Sequence, residues 1–233
     1  MTMQTAPTPV SEEWKPWLLA LLWLGYFALH SALASQWVKS WISGRFPRSI
    51  PFYRLGFNVL AVLALLPMLW LMIRYPGVTL WKWSGAWAWL SNGLTLAALA
   101  ALVRSARYYD TGEFLGMRQW RTGTECIEDQ ENFRISPFHR HVRHPWYALG
   151  LVLVWTRDMS AALLLSSVLM TVYLFIGAHL EENKLIARYG EAYRRYRQRV
   201  PGLLPWPGKS ISESEAAELV AASRRRGASP PHR

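Results

Sequence analysis

The chain has one cysteine, Cys126, so it holds no disulfide framework and no thiolate cluster for zinc or an iron–sulfur centre. Charge is sparse, 18% of residues, and acidic charge sparser still: 15 Asp and Glu stand against 26 Lys and Arg, a formal charge of +11. The segment from Met1 to Trp14 carries Glu12 and Glu13 and lacks the basic region of a secretory signal, so the first apolar block is expected to be retained as a helix. No internal repeat is evident. What the chain has in quantity is apolar surface. Hydrophobic residues make up 52%, fourteen of them Trp, and they gather in long blocks that a soluble core would not need. The Lys and Arg residues lie between and after those blocks, where phospholipid headgroups would meet them, which argues for a membrane and against nucleic acid as the partner of the positive charge.

A bilayer core about 30 Å thick takes about 20 apolar residues of helix. Segments 17–38, 52–73 and 85–103 meet that length. Pro67 falls inside the second, where a membrane helix tolerates it with a kink. In the third, Gly93, Ala97 and Ala101 recur every four residues and mark an expected helix-packing stripe. Further on, two apolar runs, 145–156 and 160–179, are separated only by Arg157, Asp158 and Met159, the pattern of a helical hairpin. Its first arm is too short to cross alone. Either it starts earlier and carries His139 to His144 to the membrane boundary, or its tip stops inside the bilayer with Arg157 and Asp158 paired.

Tyr189, Tyr193, Tyr196 and Val200 then follow at helical spacing with arginines on other faces. This reads as an amphipathic helix in the headgroup plane, its tyrosines anchoring it there, ending at Pro201 and Gly202. The expected architecture is all-α: three transmembrane helices, a C-terminal membrane hairpin and an interfacial helix. Together they form one domain over 1–208, followed by a mobile basic tail over 209–233. Lys and Arg are few in the N-terminus and in loop 74–84. They are many in loops 39–51 and 104–144 and in the C-terminal segment, which places the N-terminus outside and the C-terminus in the cytoplasm.

In that topology His30, Asn58, His144, His179, Glu181 and Glu182 fall at one depth, near the cytoplasmic ends of their helices. Isolated polar groups in membranes are often glue between helices, the reading preferred for Asn58; a cluster at one level points to function.

The segment Arg143-His144-Pro145-Trp146-Tyr147-Ala148-Leu149-Gly150 is followed by an apolar hairpin and Glu181-Glu182. Then come Tyr189-Gly190, Tyr193, Tyr196 and Arg199-Val200-Pro201. This ordered set resembles the isoprenylcysteine carboxyl methyltransferase and phospholipid methyltransferase superfamily of membrane enzymes. Within it the resemblance extends furthest toward the bacterial methanethiol S-methyltransferases, through Phe114-Leu115-Gly116-Met117-Arg118-Gln119 and His30-Ser31. The polar stretch Thr122 to Asn132 departs from the shorter loop frequent in that family and leaves the acceptor open.

The resemblance implies a methyltransferase of a bacterial inner membrane that uses S-adenosyl-L-methionine, with its cofactor region over 139–201. Arg143, His144, Pro145, Tyr147, Gly150, Glu181 and Glu182 would bind the cofactor. Methyl transfer from a sulfonium is an in-line displacement, so the protein supplies positioning and a dry, charge-matched site. Glu181 and Glu182 can bond the ammonium or ribose hydroxyls, while Arg143 and His144 can meet the carboxylate or order the loop. Adjacent helix residues point about 100° apart, so one glutamate should face the ligand fully. Pro145 fixes the helix entry, Gly150 allows close approach, and Tyr147 can stack on adenine or offer its hydroxyl.

A small thiol such as methanethiol is the first acceptor expected, with a prenylated cysteine carboxylate or a phospholipid amine as the runner-up. A thiol needs a base or a positive field, for which His30 and Arg118 are the catalytic candidates, and Gln119 is the candidate for binding substrate. The bland alternative for Glu181 and Glu182 is a solvated helix end paired with Lys184 and Arg188. The Arg-His-Pro segment across the hairpin weighs against it. Histidines 139, 141 and 144 raise the alternative of a metal or haem site, but Arg140 and Arg143 among them repel a cation and no metal ligands are assigned. A non-catalytic membrane partner built on the same fold is the remaining class.

Overall fold

The computed structural model describes residues 14–123 and 133–227. Cys126 and nearly all of the polar 122–132 stretch lie outside the described residues. Helix α1 (Trp14–Ala34) ends four residues short of the apolar block that begins it. The cause is Ser35, whose hydroxyl accepts from Val38 N at 3.3 Å and so caps a new helix, α2 (Gln36–Arg45), in a different direction. A 3-10 turn at Pro47–Ser49 leads into α3 (Ile50–Arg74), which runs unbroken past Pro67. Strand β1 (Thr79–Trp81) and helix α4 (Gly85–Ser105) follow, then a turn at Ala106–Tyr108 and two short helices, α5 (Thr111–Leu115) and α6 (Met117–Thr122). The hairpin is α7 (Pro145–Trp155), strand β2 (Met159–Ser160) and α8 (Ala161–Tyr189). The C-terminal part is α9 (Glu191–Arg199) and α10 (Glu213–Gly227).

Among the described residues, four stretches are long and apolar enough to cross a membrane: 15–34, 47–74, 85–108 and 161–189. Leu63, Leu66, Trp70 and Ile73 on α3 and Leu96, Leu99 and Val103 on α4 are exposed, an outer surface that lipid would solvate and water would not. The chain is an all-α polytopic membrane protein. Beneath that surface Leu19, Trp23, Met68 and Leu71 form the seam between α1 and α3, while Trp23 Nε1 donates to Ser166 Oγ of α8 at 2.8 Å.

Helix α7 spans 11 residues, and its tip is recessed. Ser91 donates to Thr156 O, and the Thr95 and Thr156 hydroxyls lie 2.8 Å apart, so the tip ends beside the second and third turns of α4. Of the two alternatives for this arm, α7 does not start before Pro145, and its tip ends against α4. Arg157 and Asp158 do not pair with each other: Arg157 donates to Thr95 Oγ1, and Asp158 Oδ1 accepts from Trp83 N at 3.0 Å. The short antiparallel pairing of β1 with β2, Thr79 opposite Ser160, closes the gap that a short arm leaves.

Three packing expectations are corrected. The contact stripe on α4 is Ser91, Thr95, Ala98 and Ser105, which face α7. Gly93 and Ala97 are exposed, because the hydroxyls meet the polar tip and Trp146 Nε1 donates to Ser105 Oγ at 2.8 Å. Tyr193 and Tyr196 do not sit in headgroups. They are buried with Phe133, Val200, Ile211 and Ala216, and burial pushes both phenols up, above the usual tyrosine range. Finally, 213–227 of the expected mobile tail is helix. Glu215 caps its start against Ser212 N, Arg199 pairs with Glu215 at 2.9 Å, and Arg140 meets Glu213 at 3.4 Å.

Candidate active site

Helix α8 stays regular to Tyr189 and stops at Gly190, whose φ of 58° and ψ of −127° favour glycine. Its third turn from the end carries Glu181 and Glu182 past the first turn of α7. Glu182 is 5% exposed and points inward. Its Oε1 accepts from Arg143 Nε at 2.8 Å and Nη2 at 2.7 Å, a bidentate guanidinium contact, and lies 3.1 Å from His144 Nε2. Arg143 Nη1 donates to Arg197 O at 2.9 Å and also to Val200 O. The backbone completes the joint: Arg143 N donates to Pro201 O at 2.8 Å and His144 N to Gly202 O at 3.0 Å. A Cβ at Gly202 would come to 3.4 Å from Arg143 Nη2.

Glu181 points elsewhere, as two consecutive helix positions must. Its side chain is 49% exposed, 3.6 Å from His144 Nδ1, and accepts from Tyr147 Oη at 3.3 Å. The Tyr147 ring stacks on the His144 imidazole, centroids 5.3 Å and planes 7° apart. Pro145 at the first position of α7 is buried, and its missing donor falls where no intrahelical bond is made. A Cβ at Gly150 would meet nothing within 4 Å, so no partner helix crowds it. Gly150 and Tyr147 share a face of α7, which leaves an open wall beside the exposed carboxylate. Arg143, His144, Pro145, Tyr147, Glu181 and Glu182 are thus brought together, Gly150 borders them, and the exposed His179 stands apart.

The element 114–119 docks on α3. Gly116, at φ 84°, sits so close that a Cβ there would be 2.5 Å from Leu55 N. Asn58 Nδ2 and Arg54 Nε both donate to Phe114 O, at 2.9 and 3.2 Å, so Asn58 joins elements here. Phe114 packs edge-on to Trp146 at 5.0 Å, linking α3 to the start of α7. Arg118 pairs with Asp110, a partner with no sequence motif to mark it, and lies 3.7 Å from Glu113. Gln119 Nε2 donates to Glu113 O at 3.2 Å, while Gln119 Oε1 is buried without a partner among the described residues.

His30 is placed outside the glutamate cluster. It meets Tyr173 on α8, eight residues before Glu181, or about 12 Å along the helix. His139 bonds Ser136 Oγ at 2.7 Å and Tyr109 Oη at 3.2 Å. Burial, with His144 nearby as the lesser cause, pushes its imidazole down to about 4. The Trp146–Ser105 bond, Tyr173 and the carbonyls of Pro201 and Gly202 were not legible as site residues, since only tertiary pairing gives them roles.

No family model matches the chain, and no solved structure matches it. It is 32% identical over 199 residues to the methanethiol S-methyltransferase of Pseudomonas sp. (strain GM41(2012)), covering 80% of this chain and 72% of that protein. It is 32% identical over 203 residues to the methanethiol S-methyltransferase of Mycobacterium tuberculosis, covering 80% and 77%. To methanethiol S-methyltransferase 2 of Bradyrhizobium diazoefficiens it is 32% identical over 193 residues, covering 81% and 73%. With identity at that level over most of both chains, and with the all-helical membrane architecture, this chain belongs to the methanethiol S-methyltransferase family of membrane methyltransferases.

Proposed function

We propose that the protein transfers the methyl group of S-adenosyl-L-methionine to a small thiol such as methanethiol, the acceptor in its relatives' names. The observation that carries the site is the division between the two glutamates. Glu182 is buried, with its Oε1 engaged by Arg143 and His144, whereas Glu181 presents a half-exposed carboxylate beside the aromatic pair His144 and Tyr147. Those residues fit the cofactor's chemistry: a carboxylate suits its ammonium, an aromatic hydroxyl wall suits its nucleoside, and the face at Gly150 is open to receive it. When bound, the cofactor supplies an electrophilic methyl on a sulfonium.

The chain's own residues then divide the work. Glu181 and Tyr147 hold the ligand. Arg143, His144 and Glu182 lock α7, α8 and the 197–202 segment into one frame, and Pro145 sets the angle at which α7 enters it. The exposed apolar walls let the acceptor arrive through lipid. His30 and Arg118 remain the candidates for handling the thiol's proton and charge, and the free Gln119 Oε1 can accept from a bound group. The proposed domain is the unit 1–208 with α10 packed onto it, in a bacterial inner membrane with its C-terminus in the cytoplasm, where the cofactor is made. A prenylated cysteine or a phospholipid amine is less favoured, because the matched relatives are named for methanethiol.

The test is titration of detergent-solubilised protein with S-adenosylmethionine, paired with a labelled-methyl assay over thiols, lipids and prenylcysteine. Glu181→Gln should weaken cofactor binding by roughly tenfold or more, the scale of one charge-assisted hydrogen bond. Unchanged affinity in Glu181→Gln and in Tyr147→Phe would refute this site.

A further inference from the structure

The crossing of α1 and α8 holds a polar cluster separate from the glutamates. Tyr173 Oη lies 2.9 Å from His30 Nδ1 and 3.1 Å from Ser31 Oγ. Its ring is stacked on Phe27, centroids 4.1 Å and planes 6° apart, so the hydroxyl is held in direction. A narrow apolar crevice lined by Leu29, Leu33, Leu60, Ala61 and Ala64 opens against the same imidazole. His30 Nε2 makes no hydrogen bond among the described residues and is not sealed from contact.

We propose that Tyr173 is a positioning residue that holds His30 as its Nδ1–H tautomer, so that the bare Nε2 takes the proton of a small alkanethiol brought to the mouth of the crevice. This rests on the thiol methyl-transfer reading above. A neutral imidazole donates from one nitrogen and accepts at the other. Tyr173 can accept from Nδ1–H and pass its own proton to Ser31 Oγ, and a helical serine can donate back to the carbonyl of the preceding turn. The Nδ1–H and the Tyr173 O–H then each have an acceptor, and the Ser31 side chain is exposed and can rotate. The opposite tautomer would aim an N–H at an apolar crevice, and orphaned donors in an apolar medium are rarer than under-satisfied acceptors.

The titratable groups that face the imidazole are Tyr26 from α1 and Tyr173 from α8. From α3 come the ring of Phe57, at 5.0 Å, and Tyr53, whose hydroxyl donates to Leu33 O. No carboxylate is paired with His30 among the described residues, so nothing holds the ring in its charged form.

The thiolate is the nucleophile, and an alkanethiol near neutral pH is mostly protonated, so a nearby base raises the reactive fraction. The thiol's proton moves to Nε2 and its sulfur bonds the methyl carbon. The electron pair of the broken carbon–sulfur bond stays on the donor's sulfur, and the imidazolium proton later leaves to water.

Two measurements test this. The first is nitrogen-15 NMR of histidine-labelled protein in detergent, with His30→Gln identifying the resonance. The expected signature is a protonated Nδ1 and a bare Nε2, shifting to a mixed population in Tyr173→Phe; an Nε2–H tautomer in the unmodified protein would overturn the proposal. The second is turnover across alkyl and aryl thiols of increasing acidity. His30→Gln and Tyr173→Phe should each slow the alkanethiol reaction by about a hundredfold, the lower range for general-base catalysis, with cofactor affinity unchanged. That loss should fade for thiols already ionised. An equal loss across the series, or none, would overturn it. If Tyr173→Phe does not fold, the tautomer in the unmodified protein still decides. Failure of unmodified protein to bind S-adenosylmethionine would instead sink the functional reading, a result the tautomer measurement cannot produce.

Discussion

Glu181 and Glu182 are neighbours in sequence and opposites in energetics. Removing the Glu182 carboxylate leaves Arg143, whose side chain is 11% exposed, without its counter-charge. Glu182→Ala should therefore cost about 3–5 kcal/mol of stability, read as a lowered thermal midpoint in detergent. Glu181→Gln should leave that midpoint within about 0.5 kcal/mol of the parent, since its carboxylate is half solvated. A third residue sets a pH dependence. His139 falls from 6.5 to about 4 on folding, so the unfolded chain takes up its proton more readily between those values. The stabilisation is complete above 6.5 and is lost as pH falls toward 4, amounting to at most about 3 kcal/mol. His139→Asn should flatten the thermal midpoint across that window.

At the scale of elements, the short helices α5 and α6 act as a strut between α3 and α7. Their attachment depends on Gly116, where a side chain would meet both a positive φ and the backbone of Leu55. Gly116→Ala should lower stability by more than the roughly 1 kcal/mol of a strained φ alone, because backbone cannot move aside. Trp146→Phe, which keeps the ring against Phe114 and loses the bond to Ser105, should cost about 1 kcal/mol. A larger effect of Trp146→Phe than of Gly116→Ala, both measured by thermal unfolding, would show that α7 is held chiefly by α4. The two-stranded pairing and the Arg157 contact with Thr95 explain how an arm of 11 residues is tolerated: its polar tip is met by protein, not by lipid.

At the scale of the molecule, chain direction reverses at each of α1, α3, α4 and the hairpin. Trp23 with Ser166 and His30 with Tyr173 make α1 and α8 parallel, and Ser91 with Thr156 and Ser105 with Trp146 make α4 and α7 antiparallel. The N-terminus and the C-terminal helices therefore lie at opposite ends of the bundle. Reporter fusions after residue 208 and within 36–49 should report the cytoplasm, and fusions at the N-terminus the opposite side. The reverse pattern would overturn the orientation read from the basic loops.

The sequence by itself determined the solvent and which residues gather in the candidate site. Apolar block length is a one-dimensional property, and the ordered motifs from Arg143 to Glu182 lie where a hairpin must bring them together. Tertiary structure alone decided which glutamate is buried, that Tyr193 and Tyr196 face a protein core, that α10 covers it, and that Tyr173 meets His30. Those outcomes depend on rotation about each helix axis and on contacts more than a hundred residues apart in the case of Tyr173. Local periodicity leaves both undetermined, because in a helix apolar on nearly every side no single face is marked as inner.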